Sequence, residues 1–292
     1  MLGGNMLSNK EIMAKARESL AGKWGKGALF TFVFTVIIAL VGIIFKLIDR
    51  KTGDSIALSI GTGFLQDLVS VFIITPFGIG PFYFFYKIAH KQPAEIGDML
   101  IPFGGHKYWR NVLVTVMVTI CTGIVTMICV IPMVVGLLMS FVNIDAVSLV
   151  TGSGDVLDYL DAIQANPSII WILFAAATAS LIVFAIITTI FGPVLENLYY
   201  LVGSNHKIGG FKAIRHAFRI TKGNKKQYWG LFFRFTGWYL LCIVTFGIAY
   251  FWVCNYTSTS YAIFFQEAEN KYMAQHPEDE IIINPDLKKQ EE

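Results

Sequence analysis

Charge is what this sequence has least of. Of its 292 residues, 15% are charged and 55% hydrophobic, whereas a soluble domain carries about 25% charged residues to cover its surface. A water-exposed globule cannot be built from that composition, so lipid is the solvent for much of the chain. Cysteine is also sparse, at four residues. Cys121, Cys129, Cys242 and Cys254 lie inside apolar runs without CxxC spacing, which favours buried, reduced thiols over a disulfide framework. The first two dozen residues are polar and amphipathic, so no cleavable signal peptide is expected. The chain has no GxxxxGK[ST] phosphate loop, HExxH metal helix or GxSxG elbow. His90, His106, His206, His216 and His276 are scattered through polar segments. No catalytic constellation, cofactor or metal is therefore expected, and the reading is of a protein that is not an enzyme.

What is present is a series of long apolar runs, each near the roughly 20 residues that cross a bilayer. They fall at about 27–47, 64–89, 111–142, 168–202, 229–246 and 248–266. The last two could be one overlong helix, but a turn near Thr245-Phe246-Gly247 favours a pair. The second run contains TPFGIGPF, in which Pro76 and Pro81 bracket two glycines; proline removes a backbone donor and crowds the carbonyl one turn earlier. Breaks are expected at Pro76 and Pro81, and also at Pro132 and Pro193. In lipid such breaks are tolerated only against protein or a cavity, so the Pro76–Pro81 segment should face the interior. The small-residue run Ala175-Ala176-Ala177 should let helices approach closely. The fold class is an all-α polytopic membrane bundle of about six helices. Residues 1–26 form an amphipathic cytoplasmic helix opened by a Ser8/Glu11 capping box, 27–266 the membrane domain, and 267–292 a flexible cytoplasmic tail.

The longest basic segment, 206–228, sits between two of these runs. Lys212, Arg215, Arg219 and Lys222 recur at helical spacing beside Phe211, Ile214 and Phe218, with Lys225 and Lys226 following. That pattern suits a helix at an anionic membrane surface, apolar side down and cations at headgroup level. Membrane spans flank it on both sides, so lipid rather than nucleic acid is the expected source of phosphate. LAGKWGKGALF, FGGHKYWRNVL and TKGNKKQYWGLFF each run from glycine through cations to a tryptophan anchor, Trp24, Trp109 or Trp229, and then a span. Membrane entries attract such residues in general, but the shared glycine and the proline-bearing spans favour three copies of one unit, an interfacial segment followed by a helix pair.

Cations concentrate in alternate loops. Lys10, Lys15, Arg17, Lys23 and Lys26 precede the first run, and Lys87, Lys91, Lys107 and Arg110 lie between the second and third. The stretch 143–167 holds Asp145, Asp155, Asp158 and Asp161 and no cation. The positive-inside rule then puts the amino terminus in the cytoplasm. Ionisable residues within spans are functional candidates. Asp67 falls near the outer start of the second run. Glu196 lies roughly 42 Å along the fourth helix by helical rise, near the cytoplasmic surface, and Arg234 can snorkel to that surface from the fifth. A Glu196–Arg234 ion pair would tie those spans together.

KARESLAGKWG, FGIGPFYFFY, and AIRHAFRITKGNKKQYWGLFFRFTGWYLL leading to TFGIAYFWVCNYTSTSYAIFF resemble the domain of unknown function 975 family over nearly the whole chain. The likeness departs at Asn255-Tyr256, where the family pattern has proline-tyrosine, and at 143–167, which resembles an enlarged outer loop. The resemblance implies a multi-pass protein of the bacterial inner membrane and no established activity. Two functions are compatible with these residues. One is a non-catalytic protein that organises anionic lipid, or a membrane partner or second copy, through basic interfacial helices. The alternative is a permease-like protein for a lipidic or apolar small molecule, with broken spans lining its path.

Overall fold

The computed structural model describes residues 6–52, 56–143, 168–203 and 210–279, and every regular element among them is helical. In order these are α1 (Asn9–Leu20), α2 (Trp24–Thr52), α3 (Ile56–Val69), a π-helical turn (Ser70–Ile74), α4 (Thr75–Gly78) and α5 (Gly80–Ala89). A 3-10 segment (Ile96–Phe103), α6 (Gly105–Asn143), α7 (Ser168–Gly203), α8 (Gly210–Thr221), α9 (Lys225–Val244), α10 (Tyr250–Gln275) and a 3-10 turn (Pro277–Asp279) follow. The acidic stretch at 144–167, Lys207 and the tail from 280 lie outside the described residues.

Four helical stretches are long and apolar enough to cross a membrane: Trp24–Arg50, Ile60–Ala89, Tyr108–Met139 and Ile170–Gly203. These correspond to the first four apolar runs. The helices α9 and α10 are not among them.

The chain divides into two compact units. The smaller, Met117–Gly192, is made from the distal parts of α6 and α7. They approach closely at Gly136, where an added Cβ would stand 2.3 Å from Cβ of Ala176. The small residues that were expected to bring two helices together do so here, through backbone approach rather than large side chains.

The larger unit, Met1–Val116 with Pro193–Glu292, is built around α10. This helix buries Val253, Tyr256, Ala262, Phe264, Phe265 and Ala268 among other residues, against α1, α2, α5, α8 and α9. The Ser8 cap starts α1 as expected. Its apolar face (Ile12, Ala16, Leu20) is fully buried, which for each of the two large side chains is worth about 1.5–3 kcal/mol. Its charged face, with Lys10, Lys15 and Glu18, is exposed.

The region of Pro76 shows how a proline is absorbed. The helix widens into the π turn just before it, and the Thr75 N–H and hydroxyl both donate to the Ser70 carbonyl, the latter at 2.8 Å. The Phe72 carbonyl, one turn before the proline that cannot serve it, accepts instead from the Tyr108 hydroxyl at 3.0 Å. The chain pauses at Ile79 and restarts at Gly80, with Pro81 in the first turn of α5. Gly80 has to be glycine because a Cβ there would lie 2.7 Å from the Met99 backbone. Pro76, Phe77, Ile79 and Gly80 are all buried, so this break faces the interior. Pro132 and Pro193 behave differently: α6 and α7 run through them without interruption. A membrane helix tolerates an isolated proline when local adjustment serves the freed carbonyl.

The tail also differs from expectation. Instead of fraying from residue 267, α10 continues to Gln275 and the chain is held to Asp279. Burial of Ala268 and Glu269 explains that order.

Candidate membrane-interface site

The basic segment forms α8, and its position follows from small residues. Gly210 opens the helix where any Cβ would collide with Leu113 at 2.3 Å. Ala213, Ala217 and Ile220 are fully buried, which seats the helix on α10. Gly223, at φ 89°, ends it in a conformation that side-chain-bearing residues avoid. Lys271 donates to Asn224 at 3.0 Å and fixes the turn into α9.

The outward face carries Phe211, Lys212, Arg215, Phe218, Arg219 and Lys222. Phe211 is 77% exposed. Phe211 and Phe218 thus lie beside the cations on the exposed side, as the sequence suggested, while Ile214 is half-buried. What faces protein is the alanine stripe, which spacing alone does not reveal. Lys226 extends the basic surface onto α9.

The cations are not equivalent. Arg219 Nη1 lies 2.8 Å from Asp279 Oδ2 and 3.3 Å from the Tyr272 hydroxyl, and Tyr272 itself donates to Asp279. This bonding, from Tyr272 first and Arg219 next, holds the Asp279 carboxyl below the usual carboxylate range. Burial is the main influence that pushes Tyr272 upward, and its bond to Asp279 adds to it. Among the described residues, no carboxylate pairs with Lys212, Arg215 or Lys222. Of the residues assigned to headgroup binding, then, Arg219 has its charge answered within the chain.

Arg219, Lys222, Tyr272, Gln275, His276 and Asp279 line an open cleft of about 470 Å³. Beneath it, His216 Nε2 stands 3.9 Å from the buried Glu269 carboxylate, and the Tyr272 ring packs edge-on against the imidazole. Neither Asp279 nor Glu269 was singled out from sequence. Both sit in a stretch whose mixed, acidic composition reads as a tail, and only the depth of α10 in the core makes them structural.

The expected Glu196–Arg234 pair is not formed. Glu196 accepts from the Tyr228 hydroxyl at 3.5 Å, while Arg234 points outward on the exposed side of α9. Tyr228 lies nearly two helical turns before Arg234, so the rotation of α9 brings the tyrosine, not the arginine, to α7. The tryptophans also divide. Trp109 is exposed and Trp229 half-buried, but Trp24 packs on Tyr256 with ring centroids 6.1 Å apart.

Residues 6–271 match the family model described as "Protein of unknown function (DUF975)". The chain belongs to that family. No curated protein and no solved structure matches it.

Proposed function

We propose that this DUF975 protein is a non-catalytic component of the bacterial inner membrane that holds anionic lipid headgroups against α8, with its amino terminus in the cytoplasm. The observation that carries the reading is the composition of one exposed face. Lys212, Arg215 and Lys222 have no carboxylate partner among the described residues, and they flank the outward rings of Phe211 and Phe218. An aromatic ring beside a cation suits the boundary where acyl chains meet phosphates, and each cation near an anionic surface adds about 1 kcal/mol of attraction. The excess of lysine and arginine in alternate loops supports the orientation.

The test is native mass spectrometry of the detergent-purified protein and of a variant with Lys212→Gln, Arg215→Gln and Lys222→Gln. Co-purifying anionic lipid should be lost from the variant and kept by Arg219→Gln, whose charge is already engaged. Equal lipid retention by the triple variant and the native chain would overturn the assignment. A protein partner co-purifying in place of lipid would do the same.

A further inference from the structure

We propose that α9 and α10 form a re-entrant wedge. On this reading the hairpin enters the bilayer from the side of α1, stops within the hydrocarbon, and meets the acyl chains of that one leaflet with its tip. Three independent observations in the larger unit carry this.

The first is depth. The outer face of α1 carries Lys10, Glu11, Lys15 and Glu18, all exposed. Glu18 pairs with Lys91 at 2.6 Å, with both side chains more than 60% exposed, so α1 lies in water or among headgroups. Along that helix runs the carboxyl-terminal half of α10. The Tyr256 hydroxyl donates to the Met13 carbonyl at 3.3 Å, and Lys15 pairs with Glu267 at 3.0 Å. Hydrocarbon can begin only tipward of Tyr256. On α9 the same level falls near Phe235 and Trp238, whose rings lie 5.0 and 6.1 Å from that of Tyr256. From Tyr256 to the start of α10 at Tyr250 is about 9 Å by helical rise, and only the reversing turn lies beyond it, against a hydrocarbon core of about 30 Å. The neighbouring helix supplies a ruler. Phe251 meets Phe32 of α2 at 5.6 Å; beyond that point α2 continues about 27 Å to Arg50, whereas α10 has only Tyr250 and the reversing turn left.

The second is the chemistry of the tip. No charged residue occurs from 235 to 266. Ile243, Val244, Phe246 and Ile248 all point outward, with Phe246 97% exposed. A turn that surfaced in the opposite aqueous phase would set these side chains in water.

The third is hydrogen bonding. Hydrocarbon does not tolerate open backbone donors, and this turn leaves none from Thr245 to Tyr250. The N–H of Thr245 reaches the Leu241 carbonyl at 3.0 Å, that of Phe246 the Ile243 carbonyl at 3.2 Å, and that of Gly247 the Cys242 carbonyl at 2.7 Å. The Ile248 N–H donates to the Thr245 carbonyl at 3.1 Å and that of Tyr250 to the Gly247 carbonyl at 3.0 Å. The Ala249 N–H is served at 3.1 Å by the Thr245 hydroxyl. Positive φ at Phe246 and Gly247 is what lets the chain reverse while keeping all of these bonds. A loop bathed in water has no need of such closure.

The experiment places single cysteines in the full chain after Cys121, Cys129, Cys242 and Cys254 are changed to alanine. Phe246→Cys and Ile248→Cys report the tip, and Arg50→Cys reports the far end of α2. In sealed vesicles, a membrane-impermeant maleimide should label Arg50→Cys from the opposite side and should fail to label either tip cysteine from either side. A spin label at the tip positions should be relaxed by oxygen and not by a water-soluble nickel chelate. Labelling of a tip cysteine from the side opposite α1, to the level of Arg50→Cys, would overturn the wedge in favour of two full spans. Efficient disulfide crosslinking of two Phe246→Cys chains would overturn the acyl chains as the tip's occupant, in favour of a second copy. Circular dichroism and gel filtration of each variant confirm that it is folded before it is scored.

Discussion

The hydroxyl of Tyr108 donates to the carbonyl of Phe72, 36 residues away in sequence. Phe72 is the residue whose usual helical partner would be the N–H of position 76, and position 76 is proline. A tyrosine at the entry of one membrane helix thus completes the backbone of another, and the π turn and the restart at Gly80 sit at that junction.

Tyr108→Phe should therefore destabilise the protein by about 1 kcal/mol, the usual net worth of one hydrogen bond. Thermal unfolding in detergent reads this. Coupling to the proline is the sharper check: in a Pro76→Ala background the restored N–H gives Phe72 a second donor, so the loss should shrink in a double-mutant cycle. Strictly additive effects would show that the two residues do not share the carbonyl.

Gly136→Ala should lower stability by about 1–3 kcal/mol, typical of overpacking, because the new Cβ would stand 2.3 Å from that of Ala176. Adding Ala176→Gly removes the atom it strikes and should restore most of the loss. A fully tolerated Gly136→Ala would mean that α6 and α7 do not meet at this point.

Thr245→Val removes the acceptor of the Ala249 N–H while nearly keeping the side chain's shape. Inside hydrocarbon the orphaned donor should cost about 1–3 kcal/mol. Water would satisfy the same donor in an aqueous turn, leaving stability close to native. Denaturation in lipid nanodiscs separates the two.

The Arg219–Tyr272–Asp279 contact has a defined pH dependence. The folded pKa of Asp279 is below its ordinary value, so the contact contributes fully above the unfolded carboxyl pKa of about 3.9. The contribution fades as pH falls through the lower, folded value. The protection factor for amide exchange at 276–279, taken relative to the intrinsic rate at each pH, should thus be flat from neutral pH down to about 4 and fall below it. Asp279→Asn should show low protection at every pH. Acid-induced loss of protection that persists unchanged in Asp279→Asn would assign the effect to another group.

Much of the fold could be read from the chain. Four apolar runs became four long helices, the alanines around Ala176 found a glycine, and the Pro76–Pro81 segment turned inward. Apolar composition reports the solvent of a segment, however, not its depth. Composition makes 229–266 two apolar runs and does not reveal that α10 spends its carboxyl-terminal half against the polar helix α1. The buried surroundings of α10 also explain why residues that look like a tail, Glu269 and Asp279, are held in place. At the candidate site, spacing identified which residues of α8 are cationic but not which way the helix is turned. That rotation was set by Ala213 and Ala217, residues with almost no signal of their own. It is likewise the rotation of α9, invisible in spacing, that gives Glu196 a tyrosine rather than Arg234.

The central place of α10 also sets the order in which the protein can be made. Ile12, Ala16 and Leu20 leave the ribosome long before the helix that covers them; Lys15 meets Glu267 across 252 residues. Until that later helix arrives, α1 lacks its main packing partner and the larger unit has no centre. Assembly of this unit waits until α10 has been translated, and a nascent chain truncated before Tyr250 lacks the piece on which the earlier helices close.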